Sequence, residues 1–75
     1  MTLPMHNVSL LDVVALTSDL HERGLLRGQV GTVVEVLGPG VLEVEFSDDQ
    51  GRTYAQLALR DSQLMVLHYR PEQAA

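Results

Sequence analysis

The chain contains no cysteine, no tryptophan and no lysine. Without cysteine there is neither a disulfide nor a zinc–thiolate cluster to brace a small fold, so stability has to come from apolar packing or from self-association. Aromatic residues are limited to Phe46, Tyr54 and Tyr69, too sparse a set for the groove with which SH3 domains bind proline-rich peptides. Long apolar runs are missing as well. The opening segment MTLPMHNVSLL has no basic start and no extended hydrophobic stretch, so it reads as neither a signal peptide nor a membrane anchor, and a cytoplasmic protein is expected. Basic charge is scarce. Ten acidic residues face five arginines for a formal net charge of −5, and Arg23, Arg27, Arg52, Arg60 and Arg70 are scattered singly. Nucleic-acid binding draws on clustered cations that displace counterions from the phosphate backbone, and this distribution weighs against it.

What remains is a chain of 75 residues, 45% of them hydrophobic, enough for one domain with one core and no second domain. A domain of this length buries only about 60% of its unfolded surface. The segment Asp12 to Thr17 is short, β-branched and bounded by polar residues, as a strand is. Ser18 to Gln29 carries charge and two glycines without sustained periodicity. It reads as a long early loop, opening with a helical turn that Ser18 caps toward Glu22 and pinned to the core by Leu25.

Beyond that loop the pattern sharpens. In RGQVGTVVEV, Arg27 to Val36, two glycines run into a valine-rich strand. Val30 to Leu37 and Val41 to Phe46 alternate, which places Val30, Thr32, Val34 and Val36 on the face shared by Leu42, Val44 and Phe46. Gly38, Pro39 and Gly40 join the two strands as a tight hairpin. Asp48 to Gly51 forms a second turn, leading into a strand over Thr53 to Leu59 with Ala55, Leu57 and Leu59 inward. Arg60 to Gln63 reads as one helical or 3₁₀ turn before a closing strand, Leu64 to Tyr69, and a mobile tail, 70–75. The expected fold is all-β: a small five-stranded antiparallel barrel whose closure removes adhesive sheet edges.

The stretches LLDVVALTSDL, GLLRGQVGTVVEVL and RDSQLMVL resemble a family of small bacterial proteins called domain of unknown function 4926, and the likeness covers nearly the whole chain. That resemblance implies an SH3-like barrel. RGQVGTVVEV is also similar to the KOW-type stretch of ribosomal and transcription-factor barrels, a shorter and less specific match. It implies an alternative function as an RNA- or ribosome-associated domain. KOW domains that touch RNA carry basic loops, whereas this chain sets Asp48, Asp49 and three glutamates near the corresponding hairpins.

The candidate sites follow from these strands. Gly28 and Gly31 lack the third glycine of a dinucleotide fingerprint and precede a strand rather than a helix, so Gly28 is assigned to a turn and Gly31 to a close approach of neighbouring atoms. Gly51 is assigned to the second turn. His6, His21 and His68 have no metal-ligand spacing, and nothing singles out a nucleophile and base among Ser9, Ser18, Asp12 and His21. No cofactor, metal site or catalytic residue is expected. A turn centred on Pro39 sets Leu37 opposite Val41, Glu35 opposite Glu43 and Val33 opposite Glu45. Facing carboxylates repel; with Asp48 to Gly51 closing the next hairpin, Arg52 lies diagonally near Glu45 and is expected to relieve part of the repulsion, while Gln56 flanks Glu43. This outward face, with Leu26 at the tip of the early loop, is the expected partner surface. The predicted function is a non-enzymatic protein–protein interaction module, antitoxin- or immunity-like toward a basic partner, or else a self-associating one.

Overall fold

Valine-rich runs interrupted by glycine turns fold into strands because branched side chains pack well on a pleated surface and glycine takes the positive φ angles between them. The computed structural model describes residues 8–71. Five strands, β1 (Val13–Leu16), β2 (Val30–Gly38), β3 (Val41–Ser47), β4 (Thr53–Arg60) and β5 (Leu64–Val66), form one antiparallel sheet in the order β4-β3-β2-β1-β5. The all-β, five-stranded expectation holds. Among the described residues the ladder is open between β4 and β5, which are joined through a 3₁₀ turn, η2 (Asp61–Gln63), rather than hydrogen-bonded to each other. Residues 72–75 of the expected tail, and His6, lie outside the described residues.

The core is built from one face of this sheet. Val14 and Leu16 of β1, Val33 of β2, Leu42, Val44 and Phe46 of β3, Leu57 and Leu59 of β4, and Leu64 of β5 cluster with Leu25 from the early loop. Among the described residues no buried side chain is polar or charged. Leu25 is therefore the pin that the sequence predicted. Leu20 and Leu25 exchange backbone hydrogen bonds of 2.8 and 3.1 Å, drawing the loop closed around a 3₁₀ turn, η1 (His21–Arg23), which Gly24 ends at φ +69°. The turn starts after Leu20 without a side-chain cap, so the cap expected from Ser18 does not form.

Two strands differ from expectation. β5 ends at Val66, leaving His68 and Tyr69 beyond it. In β2 the inward positions are Gly31 and Val33, while Val30, Thr32 and Val34 are not in the core. The cause is volume. A Cβ on Gly31 would lie 2.8 Å from the Glu45 carbonyl oxygen, 2.8 Å from a Val44 methyl and 3.0 Å from the Phe46 ring, so the neighbouring strand fills the space that a β2 side chain would otherwise occupy. Gly31 is thus the close-approach position that its place in a strand indicated.

Candidate functional site

The β2–β3 hairpin carries the residues expected to meet a partner. Gly38 pairs with Val41, leaving Pro39 and Gly40 as the connection. The Pro39 ring holds a negative φ, and Gly40 takes φ +70°. A proline in the first central position forbids the primed turns whose twist matches a two-residue hairpin, and irregularities in β2 absorb the mismatch. The register shifts between Val33 and Glu35 and again between Val36 and Gly38, so β2 carries extra residues that β3 does not match.

These bulges alter the predicted pairing. Glu35 does face Glu43, as expected, but Val33 pairs with Val44, Thr32 with Glu45, and Gly38 rather than Leu37 with Val41. Val33 is fully buried and leaves the candidate surface. The parity change also puts Val36 on the same side as Leu42, yet 51% of Val36 is exposed. The reason is support. β1 pairs with β2 only as far as Thr32, with a short extension in which Leu11 N–H donates to Val33 O at 2.8 Å and Val33 N–H donates to Asp12 O at 2.9 Å. Past that point β2 has β3 as its only paired neighbour among the described residues. Val34, Glu35, Val36 and Leu37 are all exposed.

The resulting surface is a carboxylate pair set in apolar ground. Glu35 is exposed and Glu43 and Glu45 are half-buried. Gln56 Nε2 donates to a Glu43 oxygen at 3.2 Å, as the sequence predicted. Glu45 instead accepts from the Thr53 hydroxyl, because Arg52 is drawn away to Asp48 at 3.4 Å and to Gln50 at 2.9 Å. Asp48 folds its own turn by accepting from the N–H groups of Gln50 and Arg52, both at 2.9 Å, and Gly51 completes it at φ +80°. Glu35 and Glu43 thus face each other as like charges, and neither forms an ion pair among the described residues. The exposed bulge residues Val34 and Leu37 flank the pair, Val36 is exposed on the opposite, Leu42 side, half-buried Val41 lies toward the turn, and exposed Leu10 and Leu11 approach β2 away from the turn, through the Leu11–Val33 bond. Leu11 has φ +72°, an uncommon angle for a bulky side chain. Sequence reading missed Leu10 and Leu11, since nothing in "SLLD" marks a left-handed residue.

The other candidates do not converge. Leu26 is 55% exposed on the early loop, where Gly28 turns at φ +90°, and it belongs to a separate surface. Asp12 accepts from Ser9 N–H at 2.8 Å, while His21 lies 3.6 Å from Asp19 on the early loop. Tyr54 packs against Phe46 with ring centroids 6.3 Å apart and accepts from Gln29 Nε2 at 3.0 Å, whereas Tyr69 is exposed. Among the described residues no group of three or more His, Asp or Glu side chains is arranged to hold a metal ion, and no helix is long and apolar enough to cross a membrane.

Residues 10–66 match the family model of a domain of unknown function, DUF4926. The chain belongs to the DUF4926 family. The matched span runs from Leu10 to Val66 and so takes in all five strands of the DUF4926 domain and the whole hairpin surface. No curated protein and no solved structure matches the chain.

Proposed function

We propose that this DUF4926 domain is a non-enzymatic interaction module, an SH3-like barrel of the bacterial cytoplasm that docks a basic protein on the far half of its β2–β3 hairpin. The observation that carries this reading is Glu35 directly opposite Glu43. Facing carboxylates cost on the order of 0.2 to 1 kcal/mol, a cost that a partner's arginine or lysine turns into attraction. Val34 and Leu37 beside them are exposed and supply the apolar centre that lets such a contact exclude water. In its most concrete form the module neutralises its partner, as an antitoxin or immunity protein does.

The reading is preferred to a KOW-like RNA-binding one because the cations are not gathered. Arg52 is held by Asp48, and Arg23 and Arg60 stand on η1 and at the end of β4. Co-purification from the native host should recover one stoichiometric basic protein. Its affinity should fall at least tenfold when Glu35 and Glu43 are both replaced by lysine, and should weaken as salt rises. Unchanged affinity in that double variant removes the hairpin face from consideration.

A further inference from the structure

Both ends of the sheet are edges, and they are treated differently. β5 is three residues long, with Pro71 in the segment that follows. β4 is eight residues long and contains no proline, lysine or carboxylate, which are the usual devices that keep an edge from pairing with another chain. The phase of the ladder tells which of its backbone groups are free. Asp61 N–H donates to Gly40 O at 3.0 Å, and with Val41 opposite Arg60 and Leu42 opposite Leu59 this bond turns the N–H and C=O groups of Leu59 and Leu57 toward β3. Those of Gln56 and Ala58 consequently face away from the sheet. Both residues are exposed. Farther along, the edge is closed at each end. Arg60 N–H donates to Gln63 Oε1 at 2.8 Å, and the register slips beside Tyr54, where Phe46 pairs with Ala55 but Ser47 with Thr53.

We propose that β4 pairs with β4 of a second copy, antiparallel about a two-fold axis at Leu57. Core-facing residues must lie opposite core-facing residues in such a pair, and only Gln56 and Ala58 are fully free. An axis at Leu57 satisfies both conditions, setting Gln56 of each copy against Ala58 of the other and forming four backbone hydrogen bonds. Shifting the axis to Gln56 sets Arg60 opposite Arg52, a like-charge pair. The axis at Leu57 sets Arg60 opposite Tyr54 instead, a cation near an aromatic ring.

Charge and shape favour this meeting place. Two copies each carrying −5 repel over most approaches, but β4 itself bears no acidic residue. A cleft of about 460 Å³ runs beside it, walled by Leu20, Leu57 and Leu59 on the apolar side and by Asp19, His21 and Arg23 of the early loop. The two Leu57 positions face each other across the axis beside that cleft, each side chain remaining in its own core. Four backbone hydrogen bonds along a short strand edge make a small, weak interface.

Amide hydrogen exchange tests the pairing without a substitution. Between roughly 10 µM and roughly 1 mM, a range suited to a weak interface, the Gln56 and Ala58 N–H groups should become protected at least tenfold while those of Leu57 and Leu59 stay protected throughout. Sedimentation should show the mass rising toward twice 8.3 kDa. Ala58→Pro removes only an outward N–H, so it should keep the circular dichroism spectrum and abolish the mass increase. A monomer at every concentration overturns the proposal, as does a dimer in which Gln56 and Ala58 exchange freely.

Discussion

The two halves of the β2–β3 hairpin are both rich in valine and behave differently. In the half nearest β1, Gly31 and Val33 lie in the core against Phe46 and Val44; in the half nearest the turn, Val34 to Leu37 are exposed even though Leu42 beneath them is buried. β3 keeps its in-and-out alternation from end to end, while β2 loses it at the first bulge. A third strand makes the difference. Where β1 backs β2, a valine is worth its buried area. Where only β3 does, an identical valine remains in water and is available to another protein.

Substitutions that break this comparison should rank accordingly. Phe46→Ala removes the largest fully buried side chain and should cost about 3–5 kcal/mol in urea denaturation, a large share of the total for a domain of this size. Gly31→Ala comes next. Two of the three atoms its methyl meets are a backbone oxygen and a core valine methyl, which have little room to yield, so a loss of about 2–3 kcal/mol is expected. Val33→Ala should cost about 2 kcal/mol by lost burial and the cavity left behind, whereas Val36→Ala should change stability by less than about 0.5 kcal/mol. Equal losses at Val33 and Val36 in the same titration would erase the distinction between the halves. Smallest of all, Glu43→Gln should raise stability by a few tenths of a kcal/mol by relieving Glu35, and the gain should vanish in high salt.

What could be read from the sequence follows the same division. Leu42, Val44, Phe46, Leu57 and Leu59 were legible because β3 and most of β4 pair without interruption, and period-two alternation then fixes the face of every side chain. β2 was misread for a physical reason. Its larger residues, Val30, Val34 and Val36, look like the core set, yet the inward position belongs to a glycine whose space Phe46 supplies from across the ladder. Alternation within one strand carries no information about volume arriving from the next. The Glu35–Glu43 pair was predicted correctly because it lies between the two bulges, and the pairs on either side failed because each bulge moves the register by one. Assigning Val33 to a partner surface was the direct result. Arg52 was drawn toward Glu45 by sequence proximity, but Asp48 is nearer and already ordered by its own turn. The free edge of β4 was not foreseen, since edge or centre is a property of the sheet's order.

Leu16 in the first strand pairs with Leu64 in the last, so the sheet is sealed by residues 48 positions apart in sequence. A chain emerging from the ribosome can form the β2–β3 and β3–β4 hairpins early, because those contacts are local. It cannot give β1 its second neighbour until β5 has been made. Loop closure of that span has to be met before any contact rewards it, which sets this folding event after β5 has left the ribosome. Until then the β5-facing edge of Val14–Leu16 is an open, sticky surface on an unfinished protein.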